Sequence, residues 1–96
     1  ILQKIQLGEG HTTEFKISFQ KEVIESVVAF ANAEGGNIFI GVDDKANIVG
    51  TIVNGETIQK YINLIKQNTQ PSIIVDIEKY KLEQKTVLVI RVQEQP

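Results

Sequence analysis

Four carboxylates in the first half of the chain have the spacing to do chemistry: Glu9, Glu14, Asp43 and Asp44. Glu9 and Glu14 stand just ahead of and within Glu14-Phe15-Lys16-Ile17. That segment alternates polar and apolar, the period of a half-buried strand with Phe15 and Ile17 inward. Asp43 and Asp44 close a continuously apolar run, Asn37 to Val42, of the kind that forms a central strand. Strand ends on one rim often carry functional groups. If the two strands are neighbours, Glu14 and Asp43 fall near each other, and Glu9 makes a third oxygen ligand. Such a set suits Mg²⁺ or Mn²⁺. A metal held there could activate water for phosphodiester cleavage. The plainer reading is that Glu9 and Glu14 are solvated and that Asp43-Asp44 make a turn. Spacing alone favours the turn.

Other chemistry is sparse. The chain has no Walker A motif, no dinucleotide glycine fingerprint, no nucleophile elbow and no His-rich metal spacing. The one histidine, His11, lies in a polar loop with nothing to orient it and reads as an exposed loop residue. The absence of cysteine excludes disulfides and thiolate metal sites and fits a cytoplasmic protein. Gly35-Gly36 follows a helix C-terminus, whereas phosphate binds helix N-termini, so the pair reads as a cap. Lys16, Lys45, Lys79, Lys81, Lys85 and Arg91 are candidate phosphate contacts. Lys79, Lys81 and Lys85 flank one hairpin and form the best basic cluster.

These residues need a frame. The 96 residues, 42% hydrophobic and 23% charged, support one domain spanning 1–96. Ile1 to Leu7 is a short strand or a helix end, and Gly8 to His11 is a loop. Ser18 is placed to cap a helix over Lys21–Ala33. Its apolar face is Val23, Ile24, Val27, Val28, Phe30 and Ala31, with Glu22, Glu25 and Ser26 opposite. After the Asp43–Asn47 turn, residues 48–53 return as a strand in a hairpin. Asn54 caps a second helix with Ile58, Tyr61, Ile62 and Ile65 on its stripe, stopped by Pro71. Strands over 72–80 and 86–92 follow, joined by the turn Leu82-Glu83-Gln84-Lys85. The expectation is an α+β fold of order β-α-β-β-α-β-β, with two helices packed on a mostly antiparallel sheet.

Net charge is −2, made of −3 over residues 1–50 and +1 over residues 51–96. Bulk charge therefore does not attract nucleic acid, and any such binding must use a local patch. No apolar run reaches the ~18 residues that span a bilayer, so no membrane role is expected. The chain lacks methionine, so it is expected to be an excerpt, an N-terminal piece of a longer protein.

The run Glu14-Phe15-Lys16-x-Ser18, then Ala29-Phe30-Ala31-Asn32 through Gly35-Gly36-Asn37-Ile38-Phe39-Ile40-Gly41-Val42-Asp43-Asp44, closely resembles the Schlafen-type AlbA-like domain. The likeness extends from Gly8 to Pro96. It implies a nucleic-acid-binding module, chiefly DNA-binding, as found in microbial transcriptional regulators. It also implies a second reading. In some animal Schlafens the domain is an endoribonuclease whose three acidic residues map onto Glu9, Glu14 and Asp43, with Mg or Mn as cofactor. Lys16 would then steady phosphate charge beside that triad. The family usually has glycine in the turn after the paired aspartates, where Lys45-Ala46-Asn47 stands here. It also continues past Pro96 into a basic, glycine-containing strand, so part of the binding surface is expected to be missing. Besides binding DNA or RNA and cleaving RNA, a third class is assembly: edge strands can pair between chains and make a homodimer.

Overall fold

The computed structural model describes residues 1–96. Its elements are α1 (Leu2–Leu7), β1 (Thr13–Lys16), α2 (Lys21–Ala31), β2 (Gly36–Ile40), α3 (Thr57–Gln67), β3 (Asp76–Leu82) and β4 (Lys85–Val92). The strands form one open sheet in the order β1-β2-β4-β3. β1 runs parallel to β2, and the other two pairings are antiparallel. The expected α+β class and mostly antiparallel sheet therefore hold.

Both faces of the sheet are covered, which is why the middle of β2 (Ile38–Ile40) and of β4 (Val87–Ile90) reads as an unbroken apolar run. On one face α2 contributes Val23, Val27, Phe30 and Ala31, and α3 contributes Ile65, against Ile38, Ile40, Leu88, Ile90 and Val92. On the other, Ile5 of α1 packs with Phe15, Phe39, Val87 and Val89. Phe15 and Phe39 sit opposite each other in the β1–β2 register and meet edge to face, ring centres 5.9 Å apart. Phe19, between β1 and α2, stacks on Tyr61 of α3 at 4.0 Å and ties the helical layer together.

Several local expectations change. Residues 2–7 form a helix, in which Ile5 is the one buried residue and seals the second face. β1 ends at Lys16, so Ile17 is 60% exposed instead of inward. Ser18 does not cap α2; its hydroxyl accepts from the Gln20 side chain, and Gln20 is the N-cap. Helix α2 stops at Ala31, two residues early. Residues 48–53 are not a strand. Ile48 makes one bridge to Val42, Thr51 donates its N–H to the Thr86 carbonyl at 2.8 Å, and Ile52 is left 93% exposed. The segment lies beside the first residues of β4, where β2 has already ended, with too few bonds to make a ladder. β3 starts at Asp76, not at 72.

Asn54 does not cap α3, whose N-cap is Glu56; it shapes the turn just before the helix. Its side-chain oxygen accepts from the Glu56 N–H, while its own N–H donates to the Thr57 hydroxyl, both at 2.9 Å. This reciprocal pair fixes the turn that leads into α3.

The two edges of the sheet differ. The outward side of β1 is not free: Gly10 N–H donates to the Thr13 carbonyl at 3.0 Å, and the Phe15 N–H donates to the Glu9 carboxylate at 2.8 Å. A side chain thus stands in for the missing neighbour strand. β3, at the opposite edge, has no such cover.

Candidate nucleic-acid interface

Glu9, Glu14 and Asp43 each have a separate structural partner. Glu9 seals the β1 edge through the Phe15 N–H. Glu14 points the other way, toward α2, where its Oε2 accepts a hydrogen bond from the Ser26 hydroxyl and lies 3.7 Å from Lys16 Nζ. Ser26 is therefore not on the outer face of α2 with Glu22 and Glu25; it anchors the helix to β1. Asp43 accepts from the Lys45 and Asn47 N–H groups at 2.9 and 2.8 Å and from the Asn47 side chain at 3.0 Å.

β1 and β2 are neighbours, as the metal reading required, yet no group of three carboxylates or histidines is placed to hold a metal ion. The donor set explains this. Asp43 spends its lone pairs on its own turn, Glu9 lies in the plane of the sheet edge, and Glu14 faces the helical layer. As folded, these residues do not fit Mg²⁺ or Mn²⁺, and no cleavage step follows from them.

Asp43's three donors lower its pKa from the ordinary 3.8, the Asn47 backbone bond being the largest cause. A carboxylate with a depressed folded pKa adds stability above the unfolded value, and that stability is lost as pH falls through the folded value. In an NMR pH titration, the Lys45 and Asn47 amides should therefore shift with a midpoint below 3.8. A midpoint at or above that value would show that the turn bonds do not persist in solution.

The basic residues divide as sharply. Lys85 donates from Nζ to the Ile48 carbonyl at 3.2 Å and lies along Gly50. Arg91 Nε donates to Glu78 Oε1 at 2.7 Å, and its Nη2 donates to the Tyr80 hydroxyl at 2.8 Å. The Glu78 bond holds the guanidinium's pKa up and lowers the Glu78 carboxyl. Lys16 is half occupied by Glu14. Lys79 and Lys81 are exposed and have no partner within the protein. Side chains alternate across a strand, so this pair lies on the α3 side of the sheet, the face of Ile77. Lys85 and Arg91 lie on the α1 side. The expected single cluster of Lys79, Lys81 and Lys85 is thus split across the edge.

An open cleft of about 370 Å³ adjoins the start of α2, lined by Lys16, Ser18, Gln20, Glu22 and Asp44 among others. Its one lysine faces two carboxylates, a poor balance for an anion. A smaller cleft lies between α1 and the sheet, with Lys4, Tyr80 and Arg91 on its wall. The sequence reading missed Ser26, Tyr80 and Lys4. The signal for Tyr80 was present: alternation along β3 sets it on the Arg91 face.

Residues 9–96 match the family described as Schlafen, AlbA_2. The chain belongs to the Schlafen AlbA_2 family. Two solved structures share the fold of this AlbA_2 domain. The DIP2311 protein from Corynebacterium diphtheriae matches 97% of the chain at 16% identity and TM-score 0.75. The N-terminal domain of a RecG-related protein from Nitrosomonas europaea matches 97% of it at 23% identity and TM-score 0.70. The chain spans 25% of the Corynebacterium chain and 70% of the Nitrosomonas one. No curated protein matches it. No helix of this domain is long and apolar enough to cross a membrane.

Proposed function

We propose that this AlbA_2 domain is a nucleic-acid-binding module, DNA being the favoured ligand, serving a regulatory protein. The observation that carries the reading is membership of the family over residues 9–96. The geometry supplies a compatible surface at the β3 edge. Lys79 and Lys81 project from one side of a strand and have no internal partner. Two residues of strand span about 7 Å, close to the through-space separation of successive phosphates on one nucleic-acid strand. The pair is therefore spaced to meet successive phosphates. Contacts of this type carry affinity without base preference.

The test is fluorescence anisotropy with labelled oligonucleotides over a range of KCl concentrations. Affinity should fall linearly on a log–log plot, and Lys79→Ala and Lys81→Ala should each flatten the slope by about 0.7–0.9. Binding at low salt no stronger than that of an unrelated acidic protein would sink the proposal. A retained slope in the double variant would remove the β3 edge as the surface.

A further inference from the structure

The cleft on the α1 side of the sheet has the makings of a base pocket. Its volume is about 260 Å³, just under the ~300–1,000 Å³ of drug-sized sites, so it suits one ring system and its substituents. Phe39 and Val89, both almost fully buried, make an apolar floor. Gln3 and Lys4 of α1 form one wall, and Tyr80 and Arg91 line the other side.

Arg91 is held for recognition. A guanidinium has five N–H donors. The Nε–H goes to Glu78 and one Nη2–H goes to Tyr80, while the Tyr80 hydroxyl lies 3.3 Å from Glu78 Oε2. This closed triangle fixes the plane of the group. It leaves Nη1 and the second Nη2–H without an acceptor in the protein. Two adjacent donors of fixed orientation match two adjacent acceptors on a planar ligand. Among nucleobases, guanine presents that pair at O6 and N7. An aromatic ring beside the fork, here Tyr80, is a usual stacking surface for an unpaired base. Lys4 lines the same cleft and can supply a cation for the nucleotide's phosphate.

We infer that this cleft takes a single unstacked guanine nucleotide, read by the free fork of Arg91 beside Tyr80. The inference rests on the nucleic-acid reading and sharpens it to strands with an unpaired guanine. Tyr80 lies between Lys79 and Lys81 in sequence, on the opposite face of β3. One strand can therefore set its phosphates on the edge lysines and turn a base under the edge into the cleft.

The experiment is an NMR titration of the ¹⁵N-labelled chain with GMP, AMP and inorganic phosphate. GMP should give saturable shifts at Lys4, Phe39, Tyr80 and Arg91, with AMP weaker by about tenfold or more. Arg91→Lys keeps the charge and removes the fork, so it should abolish the preference for GMP. Shifts of equal strength with AMP or with phosphate alone would overturn the inference, as would an absence of saturable shifts in the wild type. That wild-type titration decides the matter even where the variant misfolds. Salt-dependent oligonucleotide binding without GMP at the cleft would overturn this inference alone. GMP binding without oligonucleotide binding would overturn the nucleic-acid proposal and leave the cleft as a mononucleotide site.

Discussion

Phe39→Ala should lower the stability of the domain by about 3–5 kcal/mol, the range for truncating a buried phenylalanine. Phe39 is 1% exposed, packs edge to face on Phe15, and belongs to the cluster that holds Ile5 against the sheet. Removing its ring takes out both the β1–β2 aromatic pair and the seat of α1. Domains of this size hold only about 5–15 kcal/mol in total, so the variant sits close to unfolding at room temperature. Urea denaturation would show a lower midpoint at an unchanged slope. A loss below about 1 kcal/mol, far under the expected range, would mean that α1 does not pack on this face in solution.

Gly35→Ala should cost about 2–4 kcal/mol, from left-handed backbone strain and overpacking together. Gly35 has φ +80°, and its N–H closes α2 by donating to the Phe30 carbonyl at 2.8 Å. A β-carbon there would stand 2.7 Å from the Val92 carbonyl oxygen and 3.1 Å from the Glu94 N–H nitrogen. Both obstacles are backbone, so the chain must move. The same denaturation assay reads the loss. Gly55→Ala is the control, since a β-carbon at Gly55 meets nothing within 4 Å. Equal stability of the two variants would refute the close approach. The glycine pair is thus explained by packing and capping, without a ligand.

The larger elements were legible because their patterns have a single physical solution. Val23, Val27, Phe30 and Ala31 recur at helical spacing and become the buried face of α2. Ile38–Val42 is free of polar side chains because β2 is covered on both sides. Residues 48–53 misled for a definable reason. Their apolar character serves as filler beside β4, with Ile48 buried, Val53 partly buried and Ile52 outside, and burial without a ladder looks like a strand in sequence. Ser26 looked exposed because helical periodicity describes one helix at a time. It cannot show that Glu14 arrives from β1 to meet the hydroxyl.

The candidate site was less legible than the fold. The residue types were found, but their availability depends on partners. The pairing of Arg91 with Glu78 could have been read from sequence. The turn at Glu83-Gln84 fixes the β3–β4 register, which pairs Asp76 with Arg91 and makes Glu78 its diagonal neighbour on the same face. That of Lys85 could not, since its partner, the Ile48 carbonyl, lies 37 residues away in a segment without regular structure. The carboxylates are held apart for the same reason. The fold sends Glu9 to an edge, Glu14 to a helix and Asp43 to its own turn.

The Glu9 seal on β1 gives the sheet a direction of growth. With that side closed, a further strand can join only along β3. A second copy would join antiparallel, about an axis through the middle of the strand. Centred on Glu78, the pairing sets Glu78 against Glu78; centred on Lys79, it sets lysine against lysine; centred on Tyr80, it sets Lys79 against Lys81. Each of these meets like charge with like charge, which is destabilising. Antiparallel pairing of two copies along this seam therefore carries a like-charge penalty that a strand of different sequence, or a polyanion, would not meet. Closing one edge with a single carboxylate makes the other the only side on which this domain can be extended.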